Sequence, residues 1–139
     1  MSHPVAPFEA ISIVLVGTSH PGNIGAAARA MRTMGFKRLC LVAPERFPHA
    51  DASAMAAGAD DVLENARVFA SLQDAVADCR WVMGCTARRR SVVADEFDPS
   101  GAAVRMIEAT RQGPAALVFG RERTGLTNEE LQHCHAAVH

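Results

Sequence analysis

Charged side chains follow a short apolar run late in the chain, where Gly120 precedes Arg121, Glu122 and Arg123. The run Ala115–Phe119 ends at that glycine, which predicts a buried strand followed by a charged turn. A guanidinium group forms bidentate hydrogen bonds with phosphate, so this turn carries the chemistry of an anion-binding site. Ligands of open α/β sheets bind beyond the carboxyl ends of the strands, where this turn is expected.

Basic residues are concentrated behind the predicted strands, although the net charge is only −1. That net charge argues against a generally basic nucleic-acid protein, so the distribution of charge matters more than its sum. Half of the 14 basic residues lie in or just after three loops that follow strands. They are Arg29, Arg32, Arg88, Arg89, Arg90, Arg121 and Arg123.

Two glycine-bearing loops have the glycine spacing of a phosphate-binding loop but lack its other residues. Gly17 to Gly22 is followed by Asn23, and Gly120 to Gly125 is followed by Leu126, where an NTPase would have lysine. Without that lysine no side chain reaches the terminal phosphates, and neither loop has the dinucleotide-binding glycine pattern. The sequence therefore argues against an NTPase or a Rossmann-type dehydrogenase.

The four cysteines predict neither disulfides nor a metal site. They are far apart with no C-x-x-C pair, which favours reduced thiols in the core. In His133-Cys134-His135, neighbouring side chains would point to opposite sides of a strand, so no metal is expected there. The cysteines are Cys40, Cys79, Cys85 and Cys134.

Composition and length predict one soluble domain over residues 1–139, with 49% apolar and 21% charged residues. No apolar run approaches the roughly 20 residues that span a bilayer. The first residues, Met1 to Pro4, lack the basic and apolar regions of a signal peptide, so a cytoplasmic location is expected.

Strands and helices are predicted to alternate, which indicates a mostly parallel sheet with helices on both faces. The loops after Val16, Cys85 and Phe119 should then crowd one edge and bring their arginines together. Ser71, Asp98 and Thr127 are predicted helix N-caps. The predicted strands are 11–16, 39–42, 67–69, 81–85, 115–119 and one starting at 136. Helices are predicted over 24–34 and 51–57, and others begin at residues 72, 99 and 127. The helix from residue 72 is expected to have Cys79 on its apolar face, and the helix from residue 99 to have Val104 and Ile107 in the core. At the start of the last helix, Glu130 is expected to complete a capping box with Thr127, and Leu126 and Leu131 to form a hydrophobic staple.

Two segments resemble the first and second motifs of the SPOUT superfamily of knotted RNA methyltransferases. They are Asn23 to Arg29 and Phe119 to Leu126, and the likeness runs from about Ile11 to Val138. Together with 84–88 and 126–131, they are similar to the TrmJ family of tRNA (cytidine/uridine-2′-O-)-methyltransferases. The resemblance implies an α/β fold with a deep trefoil knot. It also implies a further strand and a third motif after His139, so that the knot segment is expected to be missing from this chain.

The family likeness further implies the cofactor, the substrate and the assembly. The cofactor is S-adenosylmethionine, which leaves as S-adenosylhomocysteine, and the substrate is a pyrimidine of the tRNA anticodon loop, at nucleotide 32. A homodimer is expected, and methyl transfer from a sulfonium requires no metal. A non-catalytic RNA-binding protein of the same fold, a 2′-O-methyltransferase of rRNA and a phosphate-binding α/β protein remain alternatives.

Each implied role is assigned to a matching position. Arg29 is the expected catalytic residue, although helical periodicity alone favours a solvated arginine there. Asn23 is either a helix N-cap or an RNA contact, and Glu122 is expected to hold Arg29 or Arg121. His20 is interpreted as an exposed loop histidine. The cofactor residues are Cys85, Thr86, Ala87 and Gly120, and the RNA contacts are Asn23, Arg88, Arg89, Arg90, Arg121 and Arg123.

Overall fold

A computed structural model of the chain describes residues 7–86 and 95–139. Its strands form one seven-stranded sheet in the order β3-β2-β1-β6-β4-β7-β5. The strands are β1 (Ile11–Val16), β2 (Arg38–Val42), β3 (Arg67–Phe69), β4 (Trp81–Cys85), β5 (Asp95–Phe97), β6 (Ala115–Phe119) and β7 (Ala136–Val138). The helices are α1 (Pro21–Met34), α2 (Ala50–Ala56), α3 (Asp60–Glu64), α4 (Leu72–Ala75), α5 (Pro99–Ala109) and α6 (Asn128–Leu131), and a 3-10 turn (Pro7–Ala10) precedes β1.

Every pair of neighbouring strands in this sheet is parallel. Val14 on β1 is opposite Val118 on β6, and Val118 is opposite Gly84 on β4. The three strands therefore end side by side at one edge, which we call the carboxyl edge. This arrangement confirms the expected parallel sheet and places the strand ends at Val16, Cys85 and Phe119 at the same edge.

Apolar side chains from the sheet form two clusters, one on each face. The first cluster contains Ile24 and Met31 of α1, Ala52 of α2, and Met106 of α5. The second contains Leu72 of α4 and Leu131 of α6. Because residues on a strand alternate between faces, these clusters confirm helices on both faces of the sheet.

The ends of several helices follow the expected chemistry. The side chains of Ser71, Asp98 and Thr127 each accept a backbone hydrogen bond at the start of their helix. Gly35 ends α1 in a left-handed conformation with φ of 88°. The N-cap of α1 is His20, so the interpretation of Asn23 as the N-cap is wrong, and Asn23 lies in the first turn.

Three expectations about the helices require correction. Val104 and Ile107 of α5 are 60% and 37% exposed, so they are not core residues. That helix buries Ala102, Met106 and Ala109 instead. Cys79 lies in a turn beyond α4, which ends after a single turn at Ala75, so it is not on the apolar face of a helix.

All four cysteines are free thiols. Burial raises the pKa of the Cys79 thiol to about 12 and that of Cys134 to about 11. Because the thiolate is the reactive form, these side chains act as small apolar groups at neutral pH. Within the two described ranges, no helix has the length and hydropathy required to cross a membrane.

Candidate functional site

The loops after β1 and β6 lie against each other at the carboxyl edge. A Cβ atom on Gly17 would lie 2.8 Å from Nε of Arg121, so the arginine side chain lies across this glycine. Gly17 has φ of 64°, which glycine adopts without strain. Two residues later, the backbone N–H of Ser19 donates to both carboxylate oxygens of Glu122, at 3.0 and 3.1 Å.

The turn after β6 is closed tightly on itself. The N–H of Arg121 donates to the carbonyl of Gly125 at 3.1 Å, and the N–H of Gly125 donates back at 2.9 Å. A Cβ atom on Gly120 would lie 2.2 Å from the carbonyl carbon of Gly125. Only glycine fits at position 120, because the backbone of Gly125 and Leu126 occupies the space that a side chain would need.

Arg121 is held from the far side of this turn by Glu130. Its two terminal nitrogens donate to the two carboxylate oxygens of Glu130, at 2.8 and 3.0 Å. Glu130 also accepts from the N–H of Thr127 at 2.8 Å, so it forms the capping box and the ion pair together. Partial burial raises the pKa of this carboxyl, but the hydrogen bonds from Arg121 and Thr127 lower it by more, so the net shift of the pKa is downward.

Glu122 has a different partner from the one expected. Its carboxylate binds Ser19 through the backbone N–H and through the side-chain hydroxyl, whereas Arg121 is paired with Glu130. Partial burial raises the pKa of the Glu122 carboxyl, but the hydrogen bonds from Ser19 outweigh this effect and the pKa is lowered. The carboxylate is therefore ionised at neutral pH and joins the two loops.

Thr86 is the first residue after β4 and has an unusual environment. Its N–H donates to the carbonyl of Val138 at 3.0 Å, but its hydroxyl is buried without a hydrogen-bond partner among the described residues. Burial chiefly, and the neighbouring Cys134, raise the pKa of the adjacent Cys85 thiol to about 12. The predicted contacts Ala87, Arg88, Arg89 and Arg90 lie outside the described residues.

The two predicted sites on α1 are exposed on its surface. Arg29 lines an open cavity of about 350 Å³ together with Met34 and Met55, and none of the described residues pairs with its guanidinium group. Asn23 is exposed in the first turn of the same helix. Arg32, one turn after Arg29, instead forms an ion pair with Asp61.

Arg46 is a further basic residue at the carboxyl edge and is not among the arginines predicted to bind RNA. It follows β2, and its guanidinium group donates to the carbonyl of Ser19 at 3.5 Å. The same signal that marked the other arginines, a basic residue just after a strand, applies to it. Arg123 is exposed at the tip of the turn after β6.

The groups at this edge suit an anionic or polar ligand. Within the described residues, no group of three histidine, cysteine or carboxylate side chains is close enough to hold a metal ion. The glycine turn and the buried Thr86 hydroxyl offer backbone groups and a hydroxyl there, whereas Arg29 lies further along α1, about 12 Å from the start of the helix.

Residues 10–139 match the SpoU rRNA Methylase family. The chain belongs to this family. Among curated SpoU relatives, it is 52% identical over 132 residues to TrmJ of Pseudomonas aeruginosa, named a tRNA (cytidine/uridine/adenosine-2′-O-)-methyltransferase. This match covers 94% of the chain and 51% of the relative, so the chain spans about half the length of the curated relatives it matches.

Solved structures share the SpoU fold over nearly the whole chain. A probable methylase family protein from Haemophilus influenzae Rd KW20 superimposes with a TM-score of 0.88 at 47% identity, covering 94% of this chain and 55% of that one. TrmJ from Z. mobilis ZM4 gives a TM-score of 0.87 at 39% identity, covering 91% and 56%. The comparisons thus agree with the expected SPOUT-type α/β architecture.

Proposed function

We propose that this protein methylates the ribose 2′-oxygen of a cytidine or uridine in the tRNA anticodon loop, with S-adenosylmethionine as methyl donor. The names of the TrmJ relatives support this substrate class. The observation that carries the proposal is the junction of the Gly120 turn with the start of α1, through the hydrogen bonds between Ser19 and Glu122. That junction makes the predicted cofactor turn and the predicted catalytic helix neighbours.

The residues at the carboxyl edge fit an adenosylmethionine molecule. The Thr86 hydroxyl is buried without a described partner, and such a group is costly unless a ligand atom completes its hydrogen bond. The closed glycine turn presents its backbone groups at the same edge, and the neutral Cys85 side chain supplies an apolar contact. When bound, the cofactor supplies a methyl group on a sulfonium and leaves as S-adenosylhomocysteine.

Arg29 is proposed to act on the RNA and not as a general base. A guanidinium group has a pKa above about 12 and does not accept a proton at neutral pH. It can instead bind the phosphate beside the target ribose and stabilise negative charge that develops on the 2′-oxygen. Arg29 is exposed, and none of the described carboxylates competes for this contact.

Arg123 is proposed as a phosphate contact, as are Arg88, Arg89 and Arg90. Arg121 contributes to RNA binding only through the part of its guanidinium group that Glu130 leaves free. Asn23 is proposed to contact the RNA ribose from the first turn of α1. Holding the donor and the 2′-oxygen in line supplies most of the acceleration, because this reaction needs little covalent help from the protein.

A cytoplasmic homodimer is the proposed working assembly. Ala26 and Ala30 form an exposed face of small side chains on α1. Met34 and Met55 beside them are 58% and 50% exposed. Pairing of this face would remove exposed methionine surface from water, which favours association. Sedimentation velocity of the intact protein would reveal the dimer.

Calorimetry and a methylation assay with the intact protein test the proposed function. We expect binding of S-adenosylmethionine but not of ATP, and transfer of a methyl group to a tRNA anticodon stem-loop. A stem-loop with 2′-deoxyribose at the target nucleotide is the matched control and should accept no methyl group.

Three outcomes separate the alternatives. Absence of cofactor binding overturns the proposal, and RNA binding without cofactor binding identifies a non-catalytic protein of the same fold. Methylation of an rRNA fragment in preference to tRNA would move the substrate to rRNA, as the family description suggests.

A further inference from the structure

Ser19 is surrounded by groups from two neighbouring loops of the carboxyl edge. Its N–H donates to both carboxylate oxygens of Glu122, and its hydroxyl also donates to this carboxylate. We propose that Glu122 is a positioning residue that, through Ser19, fixes the start of α1 and so the placement of Arg29 relative to the Gly120 turn. This inference rests on the proposed methyltransferase function.

The start of α1 lacks the usual side-chain cap. Its N-cap residue, His20, has extended backbone angles and makes no side-chain cap hydrogen bond. Pro21 at the first helical position has no N–H to satisfy. The carboxylate of Glu122 therefore anchors the helix one residue earlier, at Ser19, where negative charge also interacts favourably with the helix dipole.

The opposite side of the same loop is attached to the loop after β2. The N–H of Gly17 donates to the carbonyl of Val42 at 2.8 Å, and the N–H of Glu45 donates to the carbonyl of Thr18 at 3.0 Å. Arg46 donates to the carbonyl of Ser19 at 3.5 Å. Ser19 is thus held by a basic side chain on one side and an acidic one on the other.

This attachment reaches both halves of the proposed site. Glu122 is two residues from Gly120, so any shift of the glycine turn is transmitted to Ser19. Arg29 is eight residues beyond Pro21 on the same continuous helix, a rise of about 12 Å at 1.5 Å per residue. A misplacement of about 1 Å in a reacting geometry lowers rates strongly, so a tilt of α1 would act on the transfer step.

The ionised state of Glu122 strengthens the attachment. Hydrogen bonds to a carboxylate are shorter and stronger than those to a neutral acceptor. Glutamine at this position keeps the size and one carbonyl acceptor, whereas alanine removes both acceptors. The two substitutions therefore separate the loss of charge from the loss of the contact.

The test compares Glu122→Ala, Glu122→Gln, Ser19→Ala and the double variant Ser19→Ala/Glu122→Ala in the intact protein. Glu108→Ala is the matched control, because Glu108 is exposed on α5. The measurements are the single-turnover rate of methyl transfer, the Kd for S-adenosylmethionine by calorimetry, and amide hydrogen exchange of residues 17–24.

We expect Glu122→Ala to lower the transfer rate at least about tenfold, with the cofactor Kd changed by no more than about threefold. Amide exchange at residues 17–24 should become faster. Glu122→Gln should restore part of the rate, and Ser19→Ala should have little further effect once Glu122 is alanine. Glu108→Ala should match the unaltered protein.

Two results would overturn the inference while leaving the proposed function intact. One is an unchanged rate in Glu122→Ala. The other is equal inactivation by Glu122→Gln and Glu122→Ala with unchanged exchange at residues 17–24, which would assign Glu122 a direct role in the reaction. An unaltered protein that binds no cofactor contradicts the proposed function instead.

Discussion

Arg29 and Arg32 lie one turn apart on α1 but have different surroundings. Arg32 forms an ion pair with Asp61, whereas no described carboxylate pairs with Arg29. An arginine that is already paired must give up that partner before it binds phosphate. The unpaired guanidinium of Arg29 meets phosphate at no such cost, which agrees with its proposed role.

Replacing Arg29 with lysine tests whether the shape of the guanidinium group matters. A lysine keeps the positive charge but loses the planar fork that binds two phosphate oxygens at once. We expect Arg29→Lys to lower kcat/KM for tRNA methylation by about tenfold or more, with cofactor affinity unchanged. Arg32→Lys is the matched control and should retain activity. Near-normal turnover by Arg29→Lys would exclude a two-pronged phosphate contact.

Glu130 connects the stability of the glycine turn to pH. The pKa of its carboxyl is lower in the folded state than the unfolded value of about 4.5. The ionised carboxylate therefore contributes fully to the free energy of unfolding above pH 4.5, and this contribution is lost as the pH falls through the lower folded pKa. Glu130→Gln keeps a capping acceptor but loses the charge that Arg121 binds.

For Glu130→Gln we expect the free energy of unfolding at neutral pH to fall by about 1 kcal/mol. The difference from the unaltered protein should shrink as the pH falls from 4.5 through the lowered pKa of the wild-type carboxyl, which then also becomes neutral. Urea unfolding at several pH values measures this difference in the free energy of unfolding. Glu129→Gln, at the exposed neighbouring residue, is the control. A difference that stays constant with pH would contradict the ionic contribution.

Local contacts at the site could be predicted from the sequence, but distant ones could not. The capping box joins Thr127 and Glu130, which are three residues apart, so the sequence alone predicts it. The bond between Ser19 and Glu122 joins residues 103 positions apart. The ion pair between Arg121 and Glu130 forms only because the closed turn brings the two side chains together. The sequence therefore predicts an RNA contact for Arg121 but not its protein partner.

At the scale of elements, α1 and α2 pack so closely that a side chain on Gly25 has no room. A Cβ atom there would lie 2.1 Å from the carbonyl oxygen of Ala52 and 2.9 Å from Cβ of Met55. Backbone atoms cannot rotate away as a flexible side chain does, so the two helices would have to separate.

Gly25→Ala should therefore lower the free energy of unfolding by about 2 kcal/mol, as overpacking does in other cores. Gly22→Ala on the same helix is the matched control, because its Cβ would meet only Cγ of Met55, at 3.4 Å. Since alanine also favours the helix, that variant should be as stable as the unaltered protein. Thermal or urea unfolding distinguishes them, and equal stability of both variants would refute the close approach.

The strands were easier to predict than the surface of α5. Ile11–Val16 and Ala115–Phe119 are short apolar runs, as expected of strands covered on both faces. The buried face of α5 consists of Ala102, Met106 and Ala109. Because alanine is less hydrophobic than valine or isoleucine, the sequence pattern favours a face with Val104 and Ile107 instead. Alanine nevertheless allows the helix to approach the sheet closely, and the larger residues remain exposed.

Two short elements were not predicted because pairing, rather than composition, creates them. The strand Asp95–Phe97 has two acidic residues and is defined by its parallel pairing with Ala136–Val138. The helix Asp60–Glu64 is little more than one turn and has only Val62 buried. Neither has the periodic apolar pattern on which sequence prediction depends.

Across the whole molecule, the uneven distribution of charge bears on the proposed RNA binding. The net charge is −1, so the proposed binding depends on a local basic surface. Arg46 and Arg123 lie at the carboxyl edge, and Arg111 lies just before β6 at the opposite edge.

We expect tRNA affinity to fall steeply with salt, because each phosphate contact releases counterions. Arg123→Ala should weaken binding and reduce the slope of log Kd against log salt by about one. Arg111→Ala should change neither quantity. Fluorescence anisotropy of labelled tRNA over a salt series provides the measurement, and an equal effect of both variants would count against a localised RNA surface.

Trp81 is the only tryptophan, and the chain has no tyrosine. Its indole ring lies 4.4 Å from the guanidinium carbon of Arg105 and 6.3 Å from the ring of Phe97. Nearly all intrinsic emission of the protein therefore originates from a single site between β4, β5 and α5. Loosening of this half of the sheet will change the emission spectrum, while events confined to α1 and α2 will remain optically silent.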